Sequence, residues 1–185
     1  MKQRGRFVAM GFTLIELMVV IAIGAILLKL AAPAFSNMLA KKRVEGVASE
    51  LGTDLQFARS EAVRKNSIVR IYFATSCYAI YIPGSTAATS CNSLGTGATA
   101  LKTVQLDSGS TASFSFSPTT AGHTYIEFDP VRGMAVDSTG VDYSGYINVT
   151  SSTGSWQMRE LVTKVGRVKN CSPNASINGM PTDCT

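Results

Sequence analysis

Groups able to do covalent chemistry are sparse in this chain. Its single histidine, His123, lies between Gly122 and Thr124 in a turn-like stretch. A Ser-His-Asp arrangement would rest wholly on that residue, and a structurally satisfied or exposed histidine is the better reading. No phosphate-binding GxxxxGK[ST] loop, GxSxG elbow or HExxH helix occurs. Asp129, Asp137 and Asp142 lack the spacing of a calcium loop. Cys77, Cys91, Cys171 and Cys184 form no CxxC pair and have no metal-like spacing to His123. We therefore expect no catalytic residue, no metal and no cofactor. The sequons at Asn148 and Asn174 are short patterns with a high chance rate.

The cysteines carry the clearest chemistry, which is oxidative. Behind a membrane-targeting segment, two disulfides in an oxidising compartment are the natural expectation. Four cysteines admit three pairings. The local set, Cys77–Cys91 and Cys171–Cys184, is preferred because each closes a short loop rich in Ser, Thr and Gly or in Pro and Asn. A loop of that size stabilises by about 3 kcal/mol in the chain-entropy account. Free buried thiols are the alternative.

Electrostatic chemistry is concentrated at two places. Lys164, Arg167 and Lys169 precede the Cys171–Cys184 loop. If residues 164–169 are extended, Arg167 and Lys169 project to one face, where they could contact phosphates without reading base sequence. A solvated edge strand protected by its charge is the bland reading of the same residues. The second place is Glu16, the one formal charge between Phe12 and Leu28. A carboxylate there costs a few kcal/mol in a membrane. It makes sense beside a positive charge, and the α-amino group that cleavage before Phe12 would create on a neighbouring subunit is such a partner. Paired, the charges offset each other; unpaired, each is penalised, so the pair favours correct register.

The apolar run around Glu16 is ~25 Å long as a helix, and extension to Phe35 gives a bilayer span interrupted by Lys29. Basic residues flank it on both sides: Lys2, Arg4 and Arg6 before, Lys41, Lys42 and Arg43 after. A secretory signal peptide ending near Ala31, Ala32 and Ala34 is the composition-level alternative. The formal charge of +5 falls to a net +2 without residues 1–11, with 14 basic side chains left against 12 acidic ones. Global charge therefore says little about a polyanionic partner, and any such claim must rest on local clustering.

Gly11-Phe12-Thr13-Leu14-Ile15-Glu16, followed by Leu17 to Ile23, resembles the class III signal of type IV pilins and type II secretion pseudopilins. The resemblance implies a leader, residues 1–11, cut after Gly11 by a prepilin peptidase, with N-methylation of Phe12. It implies that Glu16 is the assembly glutamate and Pro33 the helix-kinking proline. Lys29 departs from the usual apolar pattern and can snorkel to the membrane boundary.

The elements that must position these residues follow from periodicity. Val44, Val47, Leu51, Leu55, Ala58 and Ala62 recur at intervals of three or four, one helical stripe. Lys42, Glu45, Arg59 and Lys65 occupy other faces and read as solvated. One long helix from about Phe12 to Lys65, bent at Pro33, is expected, with a membrane half over 12–35 and an amphipathic half over 36–66. Beyond Asn66 the period becomes two. Short strands are expected at Ile68–Phe73, Tyr78–Ile82, Leu101–Leu106, Ala112–Phe116, Tyr125–Phe128, Met134–Val136, Tyr146–Val149 and Met158–Val165. Residues 67–185 thus form an antiparallel β-rich domain carried by one helix, an α+β class.

Leu55 to Val63, Phe128-Asp129-Pro130-Val131-Arg132-Gly133 and Gly166-Arg167-Val168-Lys169 resemble the subgroup of FimT and FimU minor pilins and GspH pseudopilins. The resemblance implies a type IV pilin fold and an inner-membrane protein with a periplasmic domain that moves to the pilus tip. Its implied partners are other minor pilins, the major pilin and the prepilin peptidase, and its implied role is priming of pilus assembly. A pseudopilin of type II secretion is the alternative. Some FimT-type pilins bind double-stranded DNA through a Gly-Arg-x-Arg element; here Lys169 stands in the last place, keeping the charge without the bidentate fork.

Overall fold

The computed structural model describes residues 12–107, 112–118, 125–136, 144–174 and 177–184. Gly11 and the leader, His123, Asp137 and Asp142 lie outside the described residues. The chain divides into two compact units, Met1–Leu39 and Ala40–Thr185.

In the first unit the described residues form the opening part of α1 (Leu14–Lys65). Thr13 caps it: its hydroxyl accepts from Glu16 N–H at 3.3 Å and its carbonyl from Leu17 N–H at 3.2 Å. Every side chain from Phe12 to Leu39 is exposed, with Gly24 alone half-covered. The helix continues through Pro33, whose carbonyl accepts the Ser36 hydroxyl at 2.9 Å. Among the described residues α1 alone is long and apolar enough to cross a membrane.

The second unit is built around the remainder of α1. Val44, Ala48, Leu51, Leu55, Ala58 and Ala62 are fully buried. Their intervals alternate four and three, so the seam takes Ala48 rather than the expected Val47, which packs at its margin. Asp54 and Glu61 are buried on the same helix, which the apolar stripe did not reveal.

Among the described residues nine strands follow: β1 (Val69–Phe73), β2 (Cys77–Ile82), β3 (Thr99–Gln105), β4 (Ala112–Pro118), β5 (Tyr125–Phe128), β6 (Ala135–Val136), β7 (Gly145–Ser151), β8 (Gln157–Val162) and β9 (Val168–Cys171). They make two antiparallel sheets, β3-β2-β1-β5-β6 and β4-β7-β8-β9. Alternate residues such as Val69, Ile71, Ile126, Ile147, Val149, Met158 and Val162 enter one core with the helix seam. Phe114 N–H donates to the Thr75 carbonyl at 2.8 Å, tying one sheet to the other. Phe73 stacks on Phe116 at 5.1 Å, and Tyr78 meets Phe114 edge-on at 5.3 Å.

The end of the sheet differs from expectation. Residues 164–169 are not one extended segment, and the strand expected to reach Val165 stops at Val162. Thr163 and Arg167 close a turn in which Thr163 N–H donates to the Arg167 carbonyl at 2.9 Å. Gly166 holds a φ of +71° there, which a glycine adopts without cost. Val165, β-branched and strand-like by type, sits exposed on that turn. The chain then returns as β9, a short edge strand with no alternating apolar pattern to announce it.

Candidate functional site

The three motif pieces of the second unit lie far apart in sequence and meet at Arg59. Its Nε–H donates to the Gly133 carbonyl at 2.9 Å. Gly166 packs on the same group: a Cβ added there would stand 2.4 Å from the Gly133 oxygen and 3.1 Å from Arg59 Nε. Ala135 N–H donates to the Lys164 carbonyl at 3.1 Å, holding the β8–β9 turn beside β6. Arg59 is thus half-buried structure, not the solvated charge that its place on the helix implied. Asp129 organises the adjoining turn by accepting Val131 N–H at 3.1 Å and Arg132 Nε–H at 3.1 Å. The Val131 amide, with Arg132 behind it, holds the Asp129 carboxyl below its ordinary range.

A second polar contact docks the helix on the first sheet. Buried Asp54 accepts the Tyr78 hydroxyl at 2.7 Å and Lys102 Nζ at 2.8 Å. Burial, then the bond to Asp54, pushes the Tyr78 phenol far up, so it stays neutral and donates. The bond to Asp54 likewise raises the Lys102 ammonium. Glu61 instead takes a two-pronged grip from Arg64, with both contacts at 2.7 Å, and its carboxyl is lowered by it.

Lys164, Arg167 and Lys169 are all exposed, and none makes an ion pair with a described residue. Register places Lys169 opposite Leu161, and Cys171 opposite Arg159, on the outward face of the second sheet. Lys164 and Lys169 border an open hollow of about 500 Å3 with Leu161 and Thr163. Arg159 joins this face: its guanidinium lies 3.8 Å over the Tyr146 ring, and Nε–H donates to Asn148 Oδ1 at 2.9 Å. Arg159 was missed from sequence, although the alternation Met158, Arg159, Glu160, Leu161 already pointed it outward. The face can hold an anion or a phosphate backbone by charge, and the Arg159–Tyr146 stack offers a flat apolar surface beside it.

Both cysteine pairs are disulfides, Cys77–Cys91 and Cys171–Cys184. The first holds the 83–98 loop over the outer face of β2, where Cys77, Ala79 and Cys91 are buried against Tyr72 and Leu94. The second closes a loop folded back on the sheet. Ser172 N–H donates to the Pro181 carbonyl at 2.8 Å, and Ile177, 2 % exposed, plugs the core.

The first unit offers a different kind of surface. Phe12 is 82 % exposed, and Glu16 lies in the first turn of α1 among exposed Leu14, Ile15, Leu17 and Met18. Such a continuous apolar surface must be covered by lipid or by other protein.

The family described as "Type II transport protein GspH" matches residues 47–166, which span the Arg59 junction and every strand but β9. The chain belongs to the GspH family. The prokaryotic N-terminal methylation motif matches residues 11–28 of this GspH-family chain. The type IV major fimbrial protein FimA of Dichelobacter nodosus is 52 % identical over 42 residues, 23 % of this chain and 27 % of that protein. The chain thus spans about a quarter of the length of the curated relatives it matches. In fold it is similar to the type IV minor pilin FimU of Pseudomonas aeruginosa in two crystal forms. One gives a TM-score of 0.55 at 15 % identity, covering 78 % of this chain and 97 % of FimU. The other gives 0.51 at 16 %, covering 76 % and 99 %. The fold is the pilin fold, one long helix on antiparallel sheets, and the family is one of structural pilins and pseudopilins.

Proposed function

We propose that this GspH-family chain is a minor pilin, cut after Gly11, N-methylated on Phe12 and held in the inner membrane by residues 12–35 until its helix is drawn into a type IV pilus. The carrying observation is the long exposed apolar surface of α1, broken before Phe35 by two charges, Lys29 and one carboxylate, Glu16, four residues beyond Phe12. In a filament that carboxylate pairs with the methylated amine of a neighbouring subunit, and Pro33 adapts the helix to its packing. The second unit, stapled by two disulfides, would stand at the pilus tip with other minor pilins and prime polymerisation of the major pilin. Deleting the gene tests this: surface pili should fall and return with the wild-type gene but not with Glu16→Ala, while mass spectrometry should find an N-methylated Phe12. Normal piliation in the deletion strain would refute it.

The family name favours a second reading, a type II secretion pseudopilin. Loss of secreted enzymes with pili intact would select it. A role at the tip in DNA uptake is supported by the cationic face of Lys164, Arg167, Lys169 and Arg159. Phosphate contacts of this kind predict binding that weakens steeply with salt. Arg167→Ala with Lys169→Ala should abolish a low-salt gel shift with duplex DNA; an unchanged shift would remove the idea.

A further inference from the structure

Glu160 stands apart from every polar contact described above. It is 2 % exposed, and its Oε1 has no hydrogen-bond partner among the described residues. It forms the floor of a hollow of about 260 Å3 between α1 and the edge strand β9, walled by Ser49, Gly52, Thr53, Gln56, Val168 and Asn170. Gly52 keeps the floor reachable: a Cβ there would stand 3.2 Å from Glu160 Oε2.

Among the described residues no opposite charge compensates the acid. The helix presents Ser49, Gly52, Thr53 and Gln56, β7 presents Ile147 opposite Glu160, and β9 presents Asn170. Arg59, two helical turns beyond Gly52, is committed to Gly133. Burial alone therefore pushes the carboxyl up to about 8.

We propose that this hollow is a socket for a lysine side chain of an adjoining subunit, whose ammonium ionises Glu160 as it seats. This rests on the filament reading above. The wall supplies what an ammonium needs: a carboxylate, two hydroxyls and two amide oxygens, all acceptors. Thr53 already donates its own proton to the Ser49 carbonyl at 2.9 Å, so its oxygen is left to accept. A guanidinium fits less well, because its planar fork needs both carboxylate oxygens and Oε1 is buried away from the hollow. Proton balance is simple. The neutral acid loses one proton to solvent, and the ammonium keeps its own, so affinity rises with pH until Glu160 is ionised in the free chain.

The test uses the full chain in detergent micelles with Nα-acetyl-lysine methylamide as probe. Binding is read by carboxyl carbon NMR of Glu160 and by proton release. Affinity should rise about tenfold per pH unit between pH 6 and 7.5, with close to one proton released per probe bound at the lower pH. Glu160→Gln should lose binding at least tenfold, and so should Gly52→Ala, which leaves the acid but narrows the opening. The Nε-acetylated probe should not bind. Affinity independent of pH, or unchanged in Glu160→Gln, overturns the proposal; potassium binding as tightly as the probe overturns it in favour of an inorganic cation site. Because the probe is free, a chain that binds it yet never enters filaments would fail the assembly reading and leave the socket standing.

Discussion

Arg59 on α1 donates its Nε proton to the carbonyl of Gly133 at 2.9 Å, joining the helix to a turn 74 residues away. The guanidinium is half-buried, and the carbonyl has little other recourse once Gly166 has closed on it. A charge-assisted bond of this kind contributes about 1.5–3 kcal/mol. Arg59→Ala should destabilise the folded second unit by that amount in urea titrations of the full chain in micelles. Arg59→Lys should recover only part, since the ammonium cannot reproduce the directed Nε–H.

Gly166 and Gly154 make a controlled pair. Both have positive φ, +71° and +70°, but a Cβ meets the Gly133 oxygen at 2.4 Å in the first and nothing within 4 Å in the second. Gly154→Ala should cost only the left-handed backbone penalty, about 1 kcal/mol. Gly166→Ala should add a collision with backbone and cost clearly more, enough to disturb the backbone resonances of Gly133 and Lys164.

Glu160 predicts a pH dependence with a definite sign. Its carboxyl titrates near 4.5 when unfolded and is pushed up to about 8 when folded. The unfolded chain therefore ionises first. The stability held by the neutral acid is complete below pH 4.5 and is lost as pH rises to about 8. Glu160→Gln removes this dependence. It should match the wild type near pH 4 and exceed it by roughly 2–5 kcal/mol at pH 9, read as the difference between two urea midpoints.

The Cys171–Cys184 bridge closes a 13-residue separation and holds Ile177 in the core. Replacing both cysteines by serine should cost about 3 kcal/mol through the freed loop. It should also expose Ile177, detectable as faster amide exchange at Ser172 and Ile177. Exchange at the Cys77–Cys91 loop should be unchanged, because that bridge covers the other sheet.

Much of this architecture is legible in the sequence because it is local. The run from Phe12 to Leu28 with Glu16 inside it is a composition signal, and the stripe Val44, Leu51, Leu55, Ala58, Ala62 is a helical period that packing then uses. Eight strands follow from alternation. Each disulfide joins cysteines on neighbouring segments that a short loop could already bring together.

Other features depend on contacts across the chain and have no local signature. Arg59 has the composition of a solvated helix charge, and only the approach of Gly133 and Gly166 makes it a staple. Asp54 becomes buried because Tyr78 and Lys102 arrive from separate strands to satisfy it. The turn at Thr163–Arg167 breaks a segment whose residue types suit a strand, since Gly166 is needed against Gly133 rather than in a ladder. The identity of every element but β9 was thus written in local composition and periodicity, which sequence carries directly. Which polar groups end up paired, and which, like Glu160, are buried alone, was decided by packing between elements distant in the chain, where desolvation is set by the partner surface and not by the residue itself.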